Sequence, residues 1–239
     1  MDTRRTTISW EGDSRNVLRQ WPKPIRGDFG IALAEMQEGK AASLPVRPMP
    51  SIAAGVFELK DGDKNKWYRM VYLARVQDTI CVLHCFTKNT AKTERRDLST
   101  AEERWKRVQQ RLREEQKMKS KSKERMPHLT KGNVLDDLGF SSAEALELKV
   151  KAEIYYEFLE YIKEREFTQQ ELGALLGIHQ PDVSYLLNGR VSKFSVGKLI
   201  KFAGKLNLGA QVKLTKPTTD KPIRAFASKK SHNRMSVSA

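Results

Sequence analysis

The chain has 239 residues, with 44 lysines and arginines against 29 acidic residues and a formal charge of +15; this length suits two small domains, and this charge favours a polyanionic partner such as nucleic acid. Four tryptophans, six tyrosines and nine phenylalanines argue against whole-chain disorder, and no apolar run approaches the ~20 residues of a membrane span. Two cysteines exclude a disulfide framework, and without an apolar signal region we expect a cytoplasmic protein.

The first 110 residues predict a small α+β domain, because short β-branched and aromatic runs alternate with helical patterns. A tight hairpin at Gln77-Asp78 joins the two longest strands, and Asp61-Gly62-Asp63 is predicted as a turn. The predicted strands are Ile8–Trp10, Val56–Lys60, Trp67–Val76 and Thr79–Phe86, and the predicted helices are Ser14–Trp21, Ile25–Gln37 and the run from Thr93 to Gln110.

The second half predicts only helices, beginning with a long one over Ser141–Glu166 that opens with a capping box. This helix has two apolar stripes, so either one stripe contacts a partner surface or both are buried within the domain. Thr168 starts a second capping box, and a Gly177 turn then separates two short helices, as in a helix-turn-helix. A helix over Val196–Leu206 follows.

Charge divides the chain into modules. Residues 1–119 contain 24 basic and 16 acidic residues, whereas residues 127–215 contain 11 of each. The segment around Lys119–Arg125 is polar and basic and is typical of a solvated linker. We therefore predict a first domain over 1–112, a basic linker over 113–128, a second domain over 129–215 and a disordered basic tail over 216–239.

Three segments of the first domain, GVFEL, YRMVY and VLHCFTKNTAKT, occur in an order and spacing that resemble the Gp49-like branch of HigB toxins. HigB toxins belong to the RelE/ParE superfamily, so the resemblance implies a small antiparallel sheet with helices. It also implies a ribosome-dependent endoribonuclease that cuts mRNA without a metal or other cofactor, by attack of the ribose 2′-oxygen on the adjacent phosphate.

Such a reaction needs cations near the phosphate and a proton carrier for the leaving oxygen. We predict Arg69 and Lys88 as phosphate clamps, His84 as the proton-transfer residue and Phe86 as a base-stacking surface, because a period of two puts His84, Phe86 and Lys88 on one face. By resemblance Lys92 would complete the catalytic set. The remaining predicted RNA contacts are Arg47, Thr93, Arg95 and Arg96.

Plainer interpretations of these residues stay open. One is that Arg69 only pairs with Glu58 across the hairpin, and another is that His84 is structural, as a lone histidine on a strand often is. The family usually has two lysines where Lys88-Asn89 stands, so this chain has one cation fewer at the predicted site. Cys81 and Cys85 flank His84 but lie ~13 Å apart on an unbent strand, so we predict no metal site there; we expect both on the face opposite His84.

The run FTQQELGALLGIHQPDVSYLLNGRVSKF closely resembles the lambda-repressor-like XRE family, and with the upstream GNVLDDLGF it resembles HigA-type antitoxins. By this resemblance Gln180 and Tyr185, assisted by Ser184, reach base edges in the major groove. Tyr185 on an exposed face without a base contact is the alternative. The predicted phosphate contacts are Gln169, His179, Asn188, Arg190 and Lys193.

Joined in one chain, the two resemblances imply a fused toxin–antitoxin that represses its own operator, acts on mRNA at the ribosome and forms a homodimer, with no membrane partner. We expect an intramolecular contact to restrain the nuclease, and an acidic face of the long helix is one candidate cover for the basic site. That face consists of Glu144, Glu147, Glu153, Glu157, Glu160, Glu164 and Glu166. A repressor with a catalytically dead first domain is the alternative, and Met126 as an internal start of free antitoxin is a further possibility.

Overall fold

A mixed β-sheet organises the N-terminal part of the molecule. The computed structural model describes residues 6–76, 78–88, 95–117 and 127–211. Within them the strand order is β2-β3-β4-β5-β1-β6, with β1 parallel to β5 and the other pairs antiparallel. The strands are β1 Thr7–Trp10, β2 Val46–Pro48, β3 Val56–Gly62, β4 Trp67–Val76, β5 Thr79–Lys88 and β6 His128–Thr130.

Helices surround this sheet and form the rest of the described chain. They are α1 Ser14–Arg19, α2 Lys23–Gln37, α3 Arg95–Lys117, α4 Val134–Asp137, α5 Ser142–Glu164, α6 Gln169–Leu176, α7 Gln180–Leu187 and α8 Val196–Lys205, with a 3-10 turn at Val191–Lys193. An α+β sheet domain followed by a helical region is the predicted fold class, which the structure confirms. None of the described helices is long and apolar enough to cross a membrane.

Strand β5 presents its side chains to two different hydrophobic cores. Ile80, Val82 and Cys85 pack with α2 and the C-terminal helices, whereas Cys81, Leu83 and Phe86 pack under α3. The pairing of β4 with β5 shifts between Val71 and Tyr72, where a bulge lies. Because one extra residue inverts the alternation of side chains, Cys81 and Cys85 face opposite sides. The expectation that both cysteines lie opposite His84 is therefore wrong for Cys81.

The structure differs from the sequence expectation at the ends of three elements. Strand β3 continues to Gly62, so the predicted turn at Asp61 is displaced to Asp63–Lys66, and Asp61 is buried. Strands β2 and β6 are three residues each and were not predicted, because so short a run shows no periodicity. Helix α3 and β6 extend into both ends of the predicted linker.

Residues 118–126, which include Met126, lie outside the described residues, as does the tail predicted over 216–239.

The N-terminal sheet and the C-terminal helices pack into one compact unit that ends at Gly209. Strand β6, which follows the predicted linker, pairs with β1 at the edge of the sheet, and Trp10 Nε1 donates a hydrogen bond to Thr130 Oγ1 at 2.8 Å. The Gln37 side chain, at the end of α2, donates to the carbonyls of Thr6 and Gly132 at 3.1 and 3.0 Å. The second half of the chain therefore completes the sheet of the first.

Helix α5 begins with the predicted capping box, in which Ser141 and Glu144 exchange hydrogen bonds. Both apolar stripes of α5 pack within the molecule: Leu148 and Tyr155 are buried from one stripe and Phe158 from the other. Helix α5 contacts both α2 and α8, and these two contacts use its wide apolar surface. Both stripes therefore contribute to the core, the second through buried Phe158 and the partly buried Ile154 and Tyr161.

Candidate nucleic-acid sites

The first candidate site lies on the face of the sheet covered by α3. The imidazole of His84 stacks on Phe86 with ring centroids 5.1 Å apart, and Lys88 Nζ lies 5.9 Å from the Phe86 centroid. The predicted row of His84, Phe86 and Lys88 on one face is therefore present. Arg69 lies opposite Phe86 in the register of β4 and β5, so it belongs to the same face.

One carboxylate joins two members of this row. Asp97, in the first turn of α3, lies 3.3 Å from His84 Nε2 through Oδ1 and 3.1 Å from Lys88 Nζ through Oδ2. Sequence reasoning did not identify Asp97. The available signal was its position seven residues before Arg104, which puts both side chains on one face of a helix after two turns. This Asp97 bridge places α3 directly over the predicted catalytic row.

Arg104 orients the imidazole from the other side. Its Nη1 lies 3.4 Å from His84 Nδ1 and donates to the Leu83 carbonyl at 3.0 Å, and its Nη2 pairs with Asp13 at 2.6 Å. A guanidinium only donates hydrogen bonds, so Nδ1 is the acceptor and the proton of a neutral ring is on Nε2, facing Asp97. Burial lowers the pKa of His84; the hydrogen bond to Asp97 opposes this, and the charge of Arg104 adds to the lowering.

Arg69 is held in a buried ion pair. Its Nη1 lies 2.7 and 2.8 Å from the two carboxylate oxygens of Glu58, and both side chains are almost completely buried. The pairing left open by the sequence is therefore real. Lys88 is likewise buried, whereas Arg47, Arg95 and Arg96 are exposed. The predicted residues Lys92 and Thr93 lie outside the described residues.

The acidic face of α5 does not cover this site. Helix α5 packs with α2 into the core on the other face of the sheet, and the described partners of its carboxylates include Lys23 for Glu144 and Lys151 for Glu147. The expectation that this face shields the basic row is wrong. Helix α3 of the N-terminal half covers that row instead, and it does so with Asp97.

The second candidate site is the helix-turn-helix formed by α6 and α7. Thr168 and Glu171 form the predicted capping box, and Gly177 makes the turn with a φ of 60°. Gln169, His179 and Gln180 are exposed and line one open depression beside this turn. The α7 helix buries Val183 and Leu186 and leaves Gln180 on the outside, which is the orientation that base readout requires.

Residues at the end of α7 are brought together around Tyr185. Its ring lies 5.2 Å from the Arg190 guanidinium and 5.7 Å from Lys193 Nζ. Asn188 is exposed, and its Nδ2 donates to the Ser184 carbonyl at 2.7 Å. Tyr185 and Ser184 are partly exposed. The predicted set at this end therefore forms one cluster of aromatic, amide and cationic groups.

Two buried carboxylates of the N-terminal half hold the loop that follows α7. Asp28, on α2, accepts hydrogen bonds from the Ser192 backbone nitrogen at 2.8 Å and from Ser192 Oγ at 2.7 Å. Asp61, on β3, pairs with Arg190 Nε at 2.6 Å. The predicted phosphate contact Arg190 is thus bound to the other half of the chain. Neither carboxylate was identified from the sequence, since only the tertiary fold brings them to this loop.

Burial raises the pKa of Asp28 to about 7 from an ordinary value of 3.8, and the hydrogen bonds from Ser192 only partly oppose it. A carboxyl with a raised folded-state pKa holds its proton better in the folded chain than in the unfolded one. Its contribution to stability is therefore fully present below pH 4 and is lost as the pH rises to about 7. For the full shift this loss is on the order of 4 kcal/mol.

We expect Asp28→Asn to remove this part of the pH dependence. Asparagine keeps an oxygen acceptor for the Ser192 nitrogen and offers an amide donor to Ser192 Oγ. Urea unfolding at pH 5 and pH 8 measures the effect: the wild-type chain loses more unfolding free energy between the two than the variant does. Glu35, whose pKa burial also raises to about 7, is present in both chains and cancels. An equal loss in both chains would contradict the assignment.

Fold and sites together define an α+β protein that carries a covered basic row on a sheet and a separate helix-turn-helix. Comparison with protein families agrees with this division. Residues 16–106 match the family described as phage derived protein Gp49-like, and residues 134–215 match a helix-turn-helix domain family. No curated protein matches the chain. Each match covers part of the chain, and together they agree with the two resemblances read from its sequence: a Gp49-like segment followed by a helix-turn-helix segment.

Proposed function

We propose that the chain is a fused toxin–antitoxin in which a ribosome-dependent mRNA endoribonuclease is joined to a repressor of its own operator. The observation that supports the nuclease is the convergence of His84 and Lys88 on the single carboxylate of Asp97. An imidazole N–H and an ammonium directed at one anion, beside an aromatic ring, form a site of the size and charge of an RNA phosphate.

The reaction assigns one task to each side chain. The ribose 2′-hydroxyl attacks the adjacent phosphorus and gives up its proton to water, the bond from phosphorus to the 5′-oxygen breaks, and a cyclic phosphate forms. His84 acts as the imidazolium: it gives its Nε2 proton to the leaving 5′-oxygen and returns to the neutral ring, which requires that Arg104 release Nδ1 when that nitrogen is protonated. Lys88 and Arg69 offset the negative charge of the phosphorane, and Phe86 stacks on a base. The predicted backbone contacts remain Arg47, Lys92, Thr93, Arg95 and Arg96.

The cover over the site is the proposed restraint on the nuclease. Asp97 takes the place of the substrate anion on His84 and Lys88, and the first turns of α3 lie over the row. RNA therefore enters only when this end of α3 moves away from β5. The C-terminal half acts from the opposite face, where it packs on α2 and completes the sheet through β6.

Expression of the intact chain tests the nuclease directly. We expect Asp97→Ala to arrest growth more strongly than the wild-type chain, because it removes the carboxylate that competes with the phosphate. Adding His84→Ala is expected to restore growth, since loss of a general acid lowers a rate by about 10²–10⁴-fold. Glu102→Ala, which removes a partly exposed carboxylate of the same helix paired with Lys106, is the control and is expected to behave as wild type.

A second function is supported by the buried pairing of Arg69 with Glu58. If that pairing is purely structural, the N-terminal half is an inactive scaffold and the chain is a repressor alone. Viable cells expressing a folded Asp97→Ala chain would favour this function. DNA binding is common to both proposals: Gln180 and Tyr185 read bases while a second copy binds the other half of a palindromic operator.

A further inference from the structure

The turn between β3 and β4 lies beside the C-terminal end of α7, where Tyr185 is proposed to contact bases. Asp61, two residues before the turn at Asp63–Lys66, pairs with Arg190 at 2.6 Å, and Arg190 in turn lies 5.2 Å from the ring of Tyr185. Burial raises the pKa of Asp61, and the charges of Arg190 and Lys193 both oppose that rise. The Arg190 side chain therefore lies between Asp61 of the N-terminal sheet and the Tyr185 ring, which is proposed to contact bases.

The acidic groups of this turn are used within the protein. Asp61 Oδ1 accepts a hydrogen bond from the Gly62 nitrogen at 2.7 Å in addition to its pair with Arg190. Asp63 accepts hydrogen bonds from the backbone nitrogens of Asn65 and Lys66 at 2.8 Å and from Tyr68 Oη at 2.9 Å. These bonds hold both carboxylates against the backbone of the turn, with Asp61 buried and Asp63 exposed.

The basic groups of the same turn point to solvent. Lys64 and Lys66 are both exposed, and the neighbouring Lys193 is exposed as well. The charge of Lys193 acts to lower the pKa of both Asp61 and Asp63, so Lys193 lies beside this turn. The three lysines therefore extend the positive charge at the end of α7 onto the N-terminal half, where it outweighs the one exposed carboxylate of Asp63. A duplex contacted by a helix-turn-helix presents a phosphate backbone on either side of the groove that the recognition helix enters.

From this placement we infer that the DNA-binding surface extends onto the β3–β4 turn, where Lys64 and Lys66 bind the phosphate backbone beside the site read by α7. The inference rests on the proposed function, because it requires that α7 bind duplex DNA. The partner is the sugar–phosphate backbone of a duplex. Lysines on a turn outside the groove carry charge but read no base, so their contribution is independent of sequence.

The test compares the salt dependence of duplex binding in the full chain and in the double variant Lys64→Gln/Lys66→Gln. Two probes are used, each of about 30 base pairs or three helical turns: a random sequence and the sequence immediately upstream of the chain's own coding region. Each phosphate contact contributes about 0.9 to the slope of log affinity against log salt. We expect the slope to fall by about 1.8 for both probes, with affinity on the order of tenfold weaker at low salt.

Lys106→Gln/Lys131→Gln is the matched control, because it removes the same charge from exposed positions on α3 and after β6. It is expected to leave the slope unchanged. Equal slopes for the wild-type and Lys64/Lys66 variants would overturn the inference, and so would an equal fall in the control. A wild-type chain that binds neither duplex would refute both this inference and the proposed repressor. The inference alone would be refuted if Gln180→Ala lost its preference for the upstream probe while Lys64→Gln/Lys66→Gln had no effect on binding. The proposed repressor would then stand.

Discussion

Replacing Gly189 by alanine is expected to destabilise the chain by about 3 kcal/mol or more, with a matching loss of DNA binding. The φ of Gly189 is +73°, where any side chain is strained, and an added Cβ would lie 2.2 Å from the backbone oxygen of Ser43. A backbone atom cannot rotate away as a side chain does, so the loop after α7 must separate from the N-terminal half. Urea unfolding of the purified variant measures the cost.

Gly39→Ala separates strain from contact. Gly39 also has a left-handed φ, +78°, but no atom of the described residues lies within 4 Å of an added Cβ. The free energy of unfolding lost in Gly39→Ala therefore measures backbone strain alone, on the order of 1 kcal/mol. Equal losses of unfolding free energy in the two variants would show that Ser43 does not contact Gly189 closely in solution. The two halves would then not pack closely at this loop.

The second large effect is expected at the buried ion pair. Glu58→Ala removes the carboxylate that contacts Arg69 at 2.7 and 2.8 Å while leaving the guanidinium charge inside the protein. Breaking a buried pair from one side costs about 3–5 kcal/mol, since the guanidinium stays buried after the Glu58 carboxylate that contacts it is gone. The free energy of unfolding by urea, with circular dichroism as the probe, gives this number.

Glu58→Gln provides the matched comparison, because it keeps one oxygen acceptor and nearly the same volume. We expect a smaller loss than for alanine, although a neutral amide compensates the guanidinium only in part. A loss below about 1 kcal/mol for Glu58→Ala would contradict a tightly coupled pair.

Elements whose signals are local could be predicted from the sequence. The capping boxes at Ser141 and Thr168 define helix starts through contacts three residues apart, and Gly177 marks a turn that favours glycine. The β4–β5 hairpin followed from two long β-branched and aromatic runs. The row of His84, Phe86 and Lys88 could be predicted from a period of two. The bulge in β5 lies before His84, so it does not disturb the alternation within this row.

Features that depend on tertiary contacts could not be predicted in this way. Strand β6 exists because β1 offers an unpaired edge, and its three residues carry no signal of their own. The burial of Asp28 and Asp61 depends on the loop after α7, which is more than a hundred residues away in the chain. Asp97 becomes part of the candidate site only when α3 packs on β5. The acidic surface of α5 misled the prediction, since charge alone does not say which face a helix covers.

The central claim is that the covered row of the N-terminal half cuts RNA when Asp97 is removed. Primer extension on an mRNA translated in a cell-free reaction tests it most directly, with the intact Asp97→Ala chain and its Asp97→Ala/His84→Ala counterpart. We expect new 5′ ends within the coding region that require translation and that fall by about 100-fold or more when His84 is also replaced. A folded Asp97→Ala chain that leaves the translated mRNA intact, or one that cuts it equally well without His84, would contradict the claim.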